Sequence, residues 1–234
     1  MSPSAGRSKW TASLGGLATA CLIGATAHAD PVAALLTRTP EAAGVFEAQP
    51  DGAARHVQSG LLCPAKFPNV ELWHLEVFPS SLGKGADVGC DYGRNGPDGL
   101  FVSKLTIFVT RMTPEETLDS DFAQRQAEVT SAMPGAIEQG PAVQIAPASG
   151  TDTGVLADSM KSAEYSVTLD GRSYLTDVVV AIKAGWQIEI RGTYLTPNGL
   201  ADGASSTGGM TLADMPGPAM ALMLAFKSVG GETP

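Results

Sequence analysis

Three strand-length runs constrain the fold more than anything else in the chain. SAEYSVTL (162–169), SYLTDVVVAIK (173–183) and GWQIEIRGTYL (185–195) follow one another, with DGR (170–172) and KAG (183–185) at the joints. Links this short, each with a glycine able to take positive φ, join antiparallel neighbours and no others. The third run alternates. Trp186, Ile188, Ile190 and Tyr194 share one face, and Gln187, Glu189, Arg191 and Thr193 share the other. That pattern predicts a strand with one core face and one wet face.

Further strands precede the meander. VELWHLEVF (70–78) alternates, with Trp73, Leu75 and Val77 set against Leu72, His74 and Glu76. In LFVSKLTIFVTR (100–111), seven of twelve residues are Leu, Ile, Val or Phe, which suits a central strand covered on both faces. Between them lies DVGCDYGRNGPDG (87–99), whose four glycines and Asn95-Gly96 pair predict a wet turn. A helix start is marked by Thr113 as cap, Pro114 at the first helical position and Glu116 closing a capping box. Leu118, Phe122, Val129 and Met133 give that helix its apolar face, and Pro134-Gly135 stops it. PVAALLTRTPEAAGVFE (31–47) predicts a short helix broken near Pro40. Met215, Ala219, Leu222, Met223 and Phe226 predict a closing helix that stops at Gly230. The expected fold is therefore α+β: an antiparallel β-sheet meander packed with one long central helix and a C-terminal helix.

The N-terminus reads as a processing segment. Arg7 and Lys9 form a basic region, Leu14 to Ala27 is apolar and small, and AHA precedes Asp30. This is the layout of a secretory signal peptide over residues 1–29, leaving residues 30–234 as a single domain, periplasmic or secreted. The apolar run is too short and too glycine-rich to span a bilayer. Cys21 raises lipidation as the alternative, but Ala18 stands where a lipobox carries leucine. Cleavage after Ala29 leaves 13 basic and 24 acidic residues, a net charge of −11. Such a surface repels phosphate backbones and anionic headgroups, so nucleic acid is not an expected partner, nor is stable membrane insertion. Two cysteines remain, Cys63 and Cys90, and an even pair in an oxidising compartment predicts one intramolecular disulfide.

Each chemical motif lacks a partner that its chemistry needs. Counted from Asp91, the calcium-loop pattern fails at Gly93 and Val102. His56, Cys63, His74 and Cys90 contain no close ligand pair of the kind a zinc site uses. The Asp152-Thr153-Gly154 triplet has no second copy to share its proton. No G-x-S-x-G accompanies the histidines. No catalytic residue, metal ligand or cofactor site is expected on these grounds. Trp73, Trp186 and Tyr194 fit core packing better than a ligand groove. The positive expectation is a polar binding surface of Gln187, Glu189, Arg191 and Thr193. Arg191 is its most telling member, since a guanidinium holds a carboxylate with two parallel bonds; pairing with a neighbouring glutamate is the competing role.

SGLLCP, DVGCDY, KLTIFVTR and GWQIEIRGTY together resemble small uncharacterised exported proteins of alphaproteobacteria, over roughly Ser59 to Tyr194. The order of elements is also similar to the PsbP/Mog1-like α/β/α sandwich. That likeness implies an accessory or binding role and transfers no catalytic residue. Two function classes stand. One is a non-enzymatic envelope module that binds a protein or small-molecule partner. The other is a periplasmic hydrolase using carboxylates.

Overall fold

The computed structural model describes residues 31–67, 70–96, 99, 101–140, 142–145, 159–196 and 228–229. The elements run α1 (Pro31–Arg38), β1 (Phe46–Ala48), β2 (Ala53–His56), β3 (Leu62–Pro64), β4 (Lys66–Phe67), β5 (Val70–Val77), β6 (Asp87–Asn95) and β7 (Phe101–Arg111). They continue with α2 (Leu118–Ala132), β8 (Ile137–Glu138), β9 (Val143–Ile145), β10 (Ser159–Leu169), β11 (Arg172–Lys183) and β12 (Trp186–Leu195). Nine strands form one antiparallel sheet, ordered β4-β5-β6-β7-β12-β11-β10-β8, with β9 also on β10. β1, β2 and β3 form a separate three-stranded sheet. The fold is α+β, as expected. None of the described helices is long and apolar enough to cross a membrane. The expected signal peptide, Cys21, Asp152 and the closing helix over 215–226 lie outside the described residues.

The C-terminal meander forms as its sequence dictates. Leu169 pairs with Arg172 and Lys183 with Trp186, so each link has two residues. Asp170 (φ 50°) and Gly171 (φ 74°) make the first turn, Ala184 (φ 51°) and Gly185 (φ 77°) the second. Two left-handed residues in succession match the right-handed twist of the flanking strands.

The sheet has two unlike faces. One is apolar over β5–β7 and β10–β12 and packs beneath α1 and the small sheet, burying Val88, Val109, Ile107, Ile188, Ile190 and Val179. On the other face α2 lays Leu118, Phe122 and Val129 against Ala163, Tyr165, Val178 and Val180. Alternation along β11 divides between these two cores, which explains its unbroken valine run.

Three local expectations need correction. DVGCDYGRNGPDG is mainly strand, since β6 takes Asp87–Asn95. Its glycines are contact residues. The space a β-carbon would fill at Gly89 is taken by the Phe108 ring, and at Gly93 by the six-membered ring of Trp73. The helix start also shifts. Thr113 and Glu116 close a turn, with the Thr113 amide donating to the Glu116 carboxylate at 2.5 Å. Thr117 is the true cap: its hydroxyl accepts from the Ser120 amide, while Ser120 Oγ accepts from the Thr117 amide. Finally, the alternation in β5 breaks at a bulge between Leu72 and His74. Trp73 and His74 therefore fall on the same face, and Trp73 is 45% exposed rather than in the core.

The disulfide is present. Cys63 on β3 and Cys90 on β6 are bridged with α-carbons 6.2 Å apart. Both are fully buried, and the link ties the small sheet to the large one.

Candidate functional site

The four polar residues of β12 do share a face, and that face lies under α2. Gln187, Glu189 and Thr193 are buried, which overturns the wet face expected for this strand. The cause is coverage. Helix α2 packs on β10 and β11 and carries Arg125 and Glu128 to the edge of β12. Glu189 sits between two guanidiniums: Arg191 Nη2 at 2.6 Å and Arg125 Nε at 3.1 Å. Glu128 joins both, 2.6 Å from Arg125 and 3.2 Å from Arg191. Burial pushes the Glu189 carboxyl up, opposed first by Arg191 and then by Arg125. Burial also acts to raise Glu128, but the hydrogen bond and charge of Arg125 outweigh it and hold that carboxyl below its usual range. Arg191 thus has its glutamate-pairing role, and Gln187 Nε2 and Arg191 Nε find no hydrogen-bond partner among the described residues.

The residues weighed for metal or nucleophile chemistry separate. Cys63 and Cys90 are spent in the cystine. His74 lies beside Glu76 at 3.7 Å on the α2 face, and Asp91 pairs with Lys104 at 3.1 Å. His56 meets Ser59, its Nδ1 2.7 Å from the serine hydroxyl and accepting from the Ser59 amide at 3.2 Å. A nucleophile needs exposure, and both residues are buried in the β2–β3 turn with Trp186 edge-on to the imidazole. Burial pushes the His56 pKa down to about 4, with a hydrogen bond to the Gly85 backbone opposing and Arg55 adding to the drop. This pair locks a turn.

Two features were not assigned from the sequence, although a groove lined by Trp73 was weighed there against core packing. The first is a cleft of about 520 Å³ at the β4–β6 corner, lined by residues that include Lys66, Glu71, Trp73, Gly93, Arg94 and Asn95. One side of the Trp73 indole rests on the Gly93 backbone, and nearly half of the residue stays open to solvent. Lys66 and Arg94 are exposed at the rim and make no ion pair among the described residues. The arrangement is a rigid aromatic platform beside two cations.

The second is a polar row across the otherwise apolar face. Tyr92, Leu105, Gly192, Asp177 and Glu164 are successive cross-strand partners on β6, β7, β12, β11 and β10. Asp177 is 5% exposed. Burial, with the Glu164 charge adding to it, pushes its pKa up to about 7. Burial also raises Glu164. The signal for this row was a lone acid inside SYLTDVVVAIK.

Fold and cystine together define a disulfide-bearing α+β protein built on one broad antiparallel sheet. No family model matches the chain, and no curated protein matches it. A similar solved structure is that of a Pseudomonas aeruginosa protein of unknown function, PA94. It has 15% identity and a TM-score of 0.31, over 63% of this chain and 84% of that one.

Proposed function

We propose that the chain is an exported, non-enzymatic binding module of the cell envelope. Its ligand has a flat or ring-shaped apolar face and an anionic group, and it docks in the Trp73 cleft. The carrying observation is Trp73 itself: a large aromatic residue, backed by Gly93, turned outward by a bulge and flanked by Lys66 and Arg94. A backed ring loses little freedom when a ligand stacks on it. The cystine supports export, since such links persist in oxidising compartments. The signal peptide over 1–29 and the closing helix over 215–226 belong to the same reading.

Tryptophan fluorescence of the full chain, titrated with aromatic carboxylates and uronic-acid oligosaccharides, tests the cleft. The acids bind more tightly than their neutral counterparts. Binding weakens at least about tenfold in Trp73→Ala and in the Lys66→Ala/Arg94→Ala double variant. Equal affinity in Trp73→Ala removes the cleft from the reading. Mass spectrometry of the periplasmic fraction finds Asp30 at the N-terminus; an intact Met1 counts against export.

One observation favours the second reading, a carboxylate-based hydrolase: Asp177, with its pKa pushed up to about 7, stands directly opposite Glu164. Esterase, peptidase, phosphatase and glycosidase substrates decide it. Turnover abolished by Asp177→Asn would establish the hydrolase.

A further inference from the structure

We propose that Asp177, Glu164 and Tyr194 form a second site, separate from the cleft, that takes the ammonium or guanidinium group of a cationic ligand.

The geometry begins with a missing side chain. Gly192 is the direct partner of Asp177 on one side and of Leu105 on the other. The phenol of Tyr194 folds back over Gly192, with its hydroxyl in the space a β-carbon there would claim. The Tyr194 hydroxyl and the Asp177 carboxyl are thereby neighbours, close enough for the Asp177 charge to help hold the phenol protonated, after burial. Yet Tyr194 Oη and Asp177 Oδ2 each lack a hydrogen-bond partner among the described residues. Two more buried groups on this face share that condition. They are Ser103 Oγ, on the direct partner of Tyr194, and Tyr92 Oη, in the Asp177 row. Neither Asp177 nor Glu164 makes an ion pair among the described residues, and they face each other across β10 and β11.

Each of these facts has a cost. Buried acceptors normally have donors, and like charges directly opposite one another destabilise a sheet. On one side the next rows are mainly apolar: Cys90, Ile107, Ile190 and Val179, ending at Ser162, then Val88, Val109, Ile188 and Ala181; on the other side the row is Ser103, Tyr194 and Leu175, ending at Ser166. Two facing acids without a cationic partner among the described residues, where this face passes from apolar rows to a polar one, mark a use. A donor-rich cation at Asp177 would meet the deficiencies of Asp177, Glu164 and Tyr194 together. An ammonium brings three N–H donors and a guanidinium five, while its charge offsets two carboxylates. A divalent metal fits less well, since no group of three or more metal-ligating residues occurs among the described residues. Glu164 is only half-buried and marks the entry.

Methylguanidinium and n-butylammonium are the probes, with tetramethylammonium at equal ionic strength as the cation without donors. Carbon-13 NMR follows the Asp177 carboxyl of the full chain as it titrates. The first two probes lower its midpoint by at least about one pH unit and raise the melting temperature. Tetramethylammonium does neither. Asp177→Asn abolishes the thermal response, Glu164→Gln weakens it about tenfold, and Trp73→Ala leaves it intact. An unmoved Asp177 titration at saturating probe overturns the proposal. So does an equal response to tetramethylammonium, or a response that survives in Asp177→Asn. Should that variant not fold, the wild-type NMR titration and Glu164→Gln decide.

Discussion

Glu189 and Arg191, two residues apart on β12, are joined at 2.6 Å beneath α2, and the helix closes the pair from above through Arg125 at 3.1 Å. The carboxylate is almost wholly buried while both guanidiniums keep about a fifth of their surface in solvent. The burden of this network therefore falls on Glu189. Replacing Arg125 with Met leaves that carboxylate half-compensated and destabilises the protein by about 3 kcal/mol at neutral pH. The sign with pH follows. Loss of Arg125 raises the folded-state pKa of Glu189 further, so the penalty is present above that pKa and disappears once the group is protonated. Urea unfolding at pH 7 and pH 4 measures both; an equal penalty at the two pH values contradicts the assignment.

Asp177 and His56 tilt the stability profile in opposite directions. The folded pKa of Asp177 is raised from 3.8 to about 7, so the folded state holds a proton that the unfolded chain has lost. Stability from this source is greatest below 3.8 and declines as pH rises to about 7. His56 is lowered from 6.5 to about 4, so its contribution is lost as pH falls through that window. Relative to Asp177→Asn, the wild type loses on the order of 4 kcal/mol between pH 4 and 7. The variant alone shows stability rising with pH between 4 and 6.5. Denaturant titrations at five pH values test this, and parallel profiles for the two proteins refute it.

The cystine closes a loop of 26 residues between Cys63 and Cys90. Removing it as the Cys63→Ala/Cys90→Ala pair lowers stability by about 3–4 kcal/mol on the chain-entropy account. Differential scanning calorimetry gives the change. Thiol titration of the denatured, unreduced chain detects neither cysteine.

The two threonines before α2 separate the observed start from the expected one. Thr117→Ala removes the hydroxyl that accepts from Ser120 and costs about 1 kcal/mol. Thr113→Ala costs a few tenths, because the Thr113 amide, not its side chain, meets Glu116. Chemical denaturation of the two variants gives the comparison, and a larger loss at Thr113 restores the earlier start.

These contrasts show where the sequence was readable. The hairpins of β10–β12 were legible because a two-residue turn carries its own signature in Asp170-Gly171 and Ala184-Gly185. The shared face of Gln187, Glu189, Arg191 and Thr193 was legible because a strand alternates. Their burial was not, since nothing in β12 states that Arg125 and Glu128, more than fifty positions earlier, will lie across it. β6 hid behind its glycines. Gly89 and Gly93 read as loop residues until Phe108 and Trp73, on the strands either side, are seen occupying their β-carbon positions. The bulge that turns Trp73 outward leaves no local mark, so core packing was preferred to the groove that Trp73 lines. Asp177 was visible as a lone acid in a valine run, but its meaning depends on Glu164 and Tyr194 from two other strands.

The strand order divides the large sheet into two halves that could each zip by themselves. β5–β6–β7 and β10–β11–β12 join through short connections, whereas the seam between β7 and β12 brings together Arg111 and Trp186, 75 positions apart. That seam closes a longer loop than any link within either half, and pairings of large sequence separation form slowly, so it is expected late in assembly. Until then, the inner flanks of β7 and β12 are two long unpaired ribbons, each able to recruit the matching ribbon of another copy. The protein's greatest exposure to intermolecular strand exchange thus lies in the middle of its finished sheet, along a line that is sealed from view once folding is done.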